Sequence, residues 1–401
     1  MTNIELLAPA GDMNKLRLAV KYGADAVYAG GRFGLRAGAV LAAPNESHED
    51  CLEEAVSYVH SHGKKIYITV NIFARNSDFE EIKVYVKRLQ ETGVDAVIVS
   101  DLGVLKLIRE NTSLEVHIST QANVLNKYTA QEYVNLGAKR IILARECKQS
   151  EIKEIAEYVK NSCDIEVFVH GAMCVSYSGR CMISNYMTER EANRGECSQP
   201  CRYKYFPSGT IIEEKRPTEH WGIEEDIHGT YIMNSKDLCL INHLDDLISA
   251  GVTSFKIEGR MKSDYYVAAA VNTYRHALDK EKNFNYQEEI DKIAHRPWTT
   301  GFVFEKNDSL FIEHTNVIST HEVAGMCLGG NKILQRNAFN QGDELEILSF
   351  GRNHNKTFKV MSVKDEQGQS VTRANKAGAV YFLETDGLTL EPDEFLRKKV
   401  V

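Results

Sequence analysis

Alternation is the feature that most constrains this chain. Over the first 280 residues, short apolar strand-like runs and amphipathic helix-like runs follow one another eight times. Ile4–Ala10, Ala26–Gly31, Lys65–Asn71, Ala96–Asp101, Glu115–Thr120, Arg140–Glu146, Ile165–Gly171 and Ser254–Arg260 read as strands. Met13–Tyr22 reads as the first helix, with Asp12 as its N-cap, and a last helix is expected from Ser263 to about Lys280. Gly23-Ala24-Asp25, Gly93-Val94-Asp95 and Gly137-Ala138 supply tight turns ahead of strands. Eight such units predict an α/β fold, a (β/α)8 TIM-type barrel. A doubly wound open sheet fits less well, because no Gly-x-Gly-x-x-Gly follows the first strand. In a barrel the chemistry is expected at the C-terminal mouth of the strands.

One unit is irregular. Ala172 to Cys239 is a Cys-rich insertion after strand seven, with Arg, Gly, Ser and Tyr around the thiols. It falls at that mouth. From about His321 the period changes to strand-like alternation, with Glu344–Leu348, Thr357–Val363 and Ala379–Leu383 broken by Gly and Asn. The expected organisation is a barrel over 1–282 that includes the insertion 172–239, a connecting segment 283–320, and a small C-terminal β-barrel module 321–401.

The net charge of −8 argues against indiscriminate nucleic-acid binding but leaves room for a local basic groove. No apolar run reaches the roughly 18 residues of a membrane span, so no membrane partner is expected. The N-terminus enters a strand without a basic, then apolar, leader, and a cytoplasmic location is expected. There, nine cysteines mean thiols or metal ligands rather than a disulfide frame.

Cys174, Cys181, Cys197 and Cys201, with Cys239 further on, are the strongest chemical signal. Six, fifteen and three residues separate the first four. Structural zinc usually shows close Cys-x2–4-Cys knuckles, which only Cys197/Cys201 approaches. An iron–sulfur cluster tolerates dispersed thiolates. Both metals stay open on spacing alone. Cys51, Cys147, Cys163 and Cys327 read as small buried hydrophobes.

Around the mouth, His170 lies near the end of strand seven, four residues before Cys174, and His117 lies on strand five. Alternation puts Lys256, Glu258 and Arg260 on one face of strand eight, as an ionic ladder or as an anion site. Asn71, Gln121 and Asn123 follow strands three and five. Arg32 and Arg36 sit in a Gly-rich loop that could hold a carboxylate or phosphate. No His-Glu-x-x-His helix and no Gly-x-Ser-x-Gly elbow is present.

Several segments together resemble peptidase family U32, the collagenase-like peptidases. They are Glu5-Leu-Leu-Ala-Pro-Ala-Gly11, Gly23-Ala-Asp-Ala-Val-Tyr28, His170-Gly-Ala-Met-Cys174 with Tyr177-Ser-Gly-Arg-Cys181, Cys197-Ser-Gln-Pro-Cys201-Arg202, and Phe255-Lys-Ile-Glu-Gly-Arg260. Beside the old peptidase label, the resemblance implies oxygen-independent hydroxylases acting on tRNA uridine, ribosomal-RNA cytidine or a ubiquinone precursor. Length and the C-terminal module look most like the tRNA type. The resemblance further implies a [4Fe–4S] cluster on Cys174, Cys181, Cys197 and Cys239, with Cys201 a spare thiol. It implies prephenate as hydroxyl donor, tRNA as partner, and a possible partner protein of the same family. Prephenate carries two carboxylates, for which Arg180, Lys256 and Arg260 are the expected cations. Gln121 is a substrate-binding candidate, and His170 and Glu258 are the expected proton carriers. One departure is Gly38-Ala-Val-Leu-Ala-Ala-Pro-Asn45, where the family usually has an Arg- and Asn-containing stretch. A peptidase and a non-catalytic metal-stabilised RNA-binding protein are the alternatives.

Overall fold

The computed structural model describes residues 4–34, 51–174, 176–194, 197–202, 235–304 and 317–400, with short strands at 211–212, 220–221, 224–226 and 229–231. Arg36 and the stretch 38–45 lie outside the described residues.

Eight parallel strands close on themselves: β1 (Glu5–Ala10), β2 (Ala26–Gly30), β3 (Lys65–Val70), β4 (Ala96–Val99), β5 (Glu115–Ile118), β6 (Arg140–Ile142), β7 (Asp164–Ala172) and β8 (Ser254–Ile257). The order is sequential, and β8 pairs with both β1 and β7, so the sheet is a closed barrel. Glu5 and Glu166 are each opposite Ser254. Helices α1 (Met13–Lys21), α2 (Leu52–Ser61), α3 (Phe79–Thr92), α4 (Leu102–Asn111), α5 (Lys127–Asn135) and α6 (Gln149–Val159) alternate with the first seven strands. The (β/α)8 expectation holds.

Local chemistry explains the alternation. Asp12 accepts from the Lys15 amide at 2.8 Å and caps α1. Gly23 and Gly93 take φ of +106° and +87°, which stops a helix at little steric cost. Two residues later, Asp25 and Asp95 accept from the Leu6 and Ile66 amides at 3.0 and 2.8 Å, fastening the entry of the next strand to its neighbour.

After β7 the rule breaks as expected. Among its described residues the insertion has a six-residue helix, α7 (Ile183–Thr188), single 3-10 turns and short strands before α8 (Leu244–Ser249). Within it Asp237–Cys239 runs antiparallel to the end of β7, and Trp298–Thr299 adds in parallel beside it.

The chain divides into two compact units. The first comprises residues 1–20, 24–261 and 296–317; the second comprises 21–23, 262–295 and 318–401. The second contains α9 (Asp264–Leu278), α10 (Tyr286–Ile290) and a closed antiparallel barrel. Its strands are β9 (His321–Gly329), β10 (Lys332–Gln335), β11 (Glu344–Leu348), β12 (Thr357–Lys364), β13 (Val380–Thr385) and β14 (Phe395–Lys399). They pair in the order β11-β14-β9-β10-β13-β12, and β12 returns to β11. Alternation along β12 buries Phe358, Val360 and Val363 with Phe339, Leu345, Ile347 and Leu396. Among the described residues no helix is long and apolar enough to cross a membrane.

Candidate functional site

The site is built on a charged floor. Arg140 on β6 is bidentate with Glu5 on β1, and its Nη1 lies 3.3 Å from Glu166 on β7. Lys256 on β8 donates to the other Glu166 oxygen at 2.9 Å. Tyr67 and Ser254 add hydroxyl donors to Glu5 at 2.7 and 2.9 Å. Burial pushes the Glu5 carboxyl up, but Arg140 and these hydroxyls outweigh it and hold the pKa below the usual carboxylate range. At Lys256 the balance goes the other way. Burial lowers its pKa, and attraction to Glu166 does not fully restore it. The ammonium stands 4.2 Å from the Tyr28 ring centre and 5.5 Å from that of Phe168.

Above this floor opens a cavity of about 180 Å3 at the C-terminal ends of the strands. Tyr28, Thr69 and Phe168 line it from inside the barrel, and Lys256, Glu258 and Arg260 line it together. The shared face expected for these last three is what the structure has. Arg260 is 6% exposed and donates to Thr69 Oγ1 at 3.3 Å. Tyr28 donates to the Ile257 carbonyl at 3.0 Å and lies 3.3 Å from Glu258 Oε2. Burial, with Glu258 next to it, raises the Tyr28 phenol well above its ordinary value, so it stays a donor. On the opposite rim, Asn71 donates to Gln121 Oε1 at 3.0 Å, and Ser100 does so at 3.3 Å.

The Cys-rich segment folds over this mouth through polar anchors. The Ser178 amide donates to Glu146 at 2.7 Å, and its hydroxyl reaches both carboxylate oxygens. Gly179, at φ +71°, packs so closely on Gln121 that a Cβ there would lie 2.2 Å from its carbonyl oxygen. Further along, Ser198 bonds Ser184 and Thr188 of α7 at 3.1 and 2.9 Å. Arg194 reaches Asp78 at 2.6 Å and the Phe73 carbonyl at 3.1 Å. These contacts bring Cys174, Cys181, Cys197 and Cys201 onto the wall of the same cavity.

Among the described residues, no three His, Cys, Asp or Glu side chains gather around a point where a single ion could sit. A cubane cluster differs, because each of its irons takes its own thiolate and the donors stand around a volume. Four thiols spread around one cavity wall suit that group better than they suit zinc.

Not every expected residue comes to the cavity. Arg180 is exposed, and neither it nor His170 is on the wall. His170 is fully buried with its ring 5.2 Å from that of Trp298, and its Cα is opposite Cys239 across the β7 pairing. Cys239 is buried on that short strand, off the cavity wall, whereas Cys201 is on it. His117 is fully buried inside the barrel, bonded to Glu115 at 2.9 Å and packed on Tyr67. Burial lowers its pKa, and it reads as a core histidine.

Several residues at the mouth, Tyr28 among them, have no counterpart among the sequence-derived candidates, and two follow β6. Arg145 lines the cavity, and Glu146 anchors Ser178. Both follow β6, at the C-terminal end of a barrel strand, and that position was the available signal.

Two family profiles and several known proteins match the chain. The sequence profile of peptidase family U32 matches residues 11–312, and that of the peptidase family U32 C-terminal domain matches residues 319–397. The chain is 38% identical to the tRNA hydroxylation protein P1 of Bacillus subtilis, over 98% of this chain and 94% of that one. It is 35% identical to the tRNA hydroxylation protein P of Escherichia coli, over 94% and 93%. It is also 38% identical to the 23S rRNA 5-hydroxycytidine C2501 synthase of Escherichia coli, over 69% of this chain and 39% of that one.

Proposed function

This chain belongs to peptidase family U32, and on that premise we propose that it hydroxylates RNA, converting tRNA wobble uridine to 5-hydroxyuridine. The reading is carried by near full-length similarity to two proteins named for tRNA hydroxylation. In this reading the reaction is oxygen-independent, depends on a [4Fe–4S] cluster, and takes its hydroxyl group from prephenate.

The cavity chemistry supports it. A dicarboxylate needs cations in a site with little water, and Lys256 and Arg260 are both buried at the cavity wall. Arg260 can grip a carboxylate with two parallel N–H donors, while Lys256 offers a point charge. Glu258 and the Tyr28 hydroxyl, 3.3 Å apart, are placed to hold or move a proton at the same wall. His170, buried on β7 beside Trp298 and off the cavity wall, is left a positioning role. Gln121, with Asn71, presents neutral amides on the far rim, suited to the edge of a base.

Cys174, Cys181 and Cys197 would hold the cluster with Cys239 as fourth ligand, and Cys201 competes with Cys239 for that place. When bound, the cluster supplies one-electron chemistry, which a hydrolase does not need.

Two measurements test the reading. Anaerobically purified protein should contain about four irons per chain with matching sulfide. Loss of iron on Cys239→Ala but not on Cys201→Ala confirms the fourth ligand; the reverse reassigns it to Cys201. Cells without the protein should lose wobble 5-hydroxyuridine, as should cells blocked in prephenate synthesis. Retained hydroxylation, together with peptide cleavage that Cys174→Ala abolishes, would return the chain to the peptidase label.

A further inference from the structure

We propose that Arg145 is a positioning residue that sets the reduction potential of the cluster by hydrogen-bonding the Cys174 sulfur. The inference rests on the cluster reading above.

Arg145 follows β6 and turns into the mouth. Its Nη1 donates to the Ala172 carbonyl at 3.1 Å and lies 3.8 Å from Cys174 Sγ, within the range of an N–H···S bond. Its Nη2 is 3.8 Å from Glu258 Oε2. The guanidinium carbon lies over Phe168, 4.1 Å from the ring centre, and the side chain is only 12% exposed. It is therefore held in place by three things: a carbonyl, a ring and a carboxylate. A group so fixed costs little reorganisation when charge near it changes.

The carbonyl contact gives this arrangement its meaning. Ala172 is the last residue of β7, two before Cys174. By gripping the strand end and the thiol together, Arg145 fixes the sulfur at the point where the chain leaves the barrel. Reduction of a cluster adds an electron, part of whose charge falls on the ligand sulfurs. An N–H donor and a positive charge beside one sulfur stabilise the reduced form, so the potential rises. Glu258 opposes this by offsetting part of the guanidinium charge. The pair therefore acts in opposite directions on one quantity, which a merely structural contact would not do.

The test uses the full chain, reconstituted anaerobically, with iron and sulfide counted before a redox titration. Arg145→Gln should keep the iron and shift the midpoint potential negative. Arg145→Lys should fall between that variant and the wild type, because it keeps the charge but not the fork of donors. Glu258→Gln should shift the midpoint positive. Unmoved potentials in Arg145→Gln and Glu258→Gln, with clusters intact, would overturn the proposal while leaving the cluster reading standing. Loss of the cluster from both Arg145 variants would make the residue a folding element and overturn it too. A wild-type protein without iron would instead overturn the cluster reading on which the proposal rests.

Discussion

Each compact unit buries a quartet of two cations and two carboxylates, and the two quartets end differently. In the barrel they are Arg140 and Lys256 with Glu5 and Glu166. In the second unit they are Arg397 and Lys292 with Glu289 and Glu346. Lys292 has a carboxylate on either side, at 3.1 and 2.8 Å, and Asn355 bonds Arg397 at 2.6 Å. Burial pushes Glu289 up, yet Arg397 and Lys292 overcome it and bring its pKa down to about 2. Among the described residues Lys256 has one ion-pair partner, Glu166, and it also faces aromatic rings and the cavity. Equal formal charge therefore does not mean equal compensation. The closed quartet is built for stability, and the open one keeps a cation facing the cavity where an anion can complete it.

Breaking the closed quartet should have the largest effect. Arg397→Ala leaves Glu289 buried without its main partner and should cost about 3–5 kcal/mol. Hydrogen exchange in β9–β14 of the full chain would report it. Arg140→Ala should cost about as much in the barrel strands. If Arg397→Ala leaves β14 as protected as in the wild type, the closed quartet is not structural.

Acid sharpens the same contrast. Burial lowers the His354 pKa to about 4 despite the Glu289 carboxylate 3.9 Å away. A histidine whose folded pKa is depressed contributes stability above its unfolded value near 6.5 and loses it as pH falls toward 4. Glu289, depressed to about 2 from 4.5, loses its contribution in the next window down. The second unit should therefore weaken in two steps. His354→Phe should flatten the upper one, worth on the order of 3 kcal/mol. A slope between pH 6.5 and 4 that is the same in the variant would remove His354 from the account.

The open quartet should show its difference in activity rather than stability. Lys256→Gln should lower the proposed tRNA hydroxylation by about 10- to 100-fold, the loss of one charged hydrogen bond in the site. Lys292→Gln should leave turnover alone while lowering the unfolding midpoint. The opposite pattern would refute the distinction between the quartets.

The smallest effect is expected at Gly179. Gly179→Ala puts a Cβ 2.2 Å from the Gln121 carbonyl oxygen at φ +71°, and should cost about 1–3 kcal/mol. The turn at Gly179 would lift from Gln121, which follows β5, and iron content should fall with it. Full iron content in this variant would show that the loop is held by Glu146 alone.

Much of this was legible in the sequence, because the signals are local. The barrel follows from the spacing of apolar runs and from Gly-x-Asp turns whose carboxylates tie the start of each new strand to the strand before it. The shared face of Lys256, Glu258 and Arg260 follows from counting along one strand end. The irregular insertion follows from its composition. Neither His170 nor Cys201 could be placed in this way. β7 runs on to Ala172, its pairing with β8 shifts register between Lys256 and Ile257, and its end takes Asp237–Cys239 as a new neighbour. Counting outward from Glu166 and Phe168 therefore does not carry His170 into the cavity. Cys201 reaches the wall because Ser198 is tied to α7 and Arg194 to Asp78, contacts spanning from 10 to 116 residues. Arg145 meets Cys174 and Glu258 only when three strand ends converge. Periodicity and turn chemistry act over a few residues, so the scaffold and the kinds of donor available can be read from the chain in order. Which donors share one cavity depends on strand register and on anchors between residues far apart in the chain, and these exist only once it has folded.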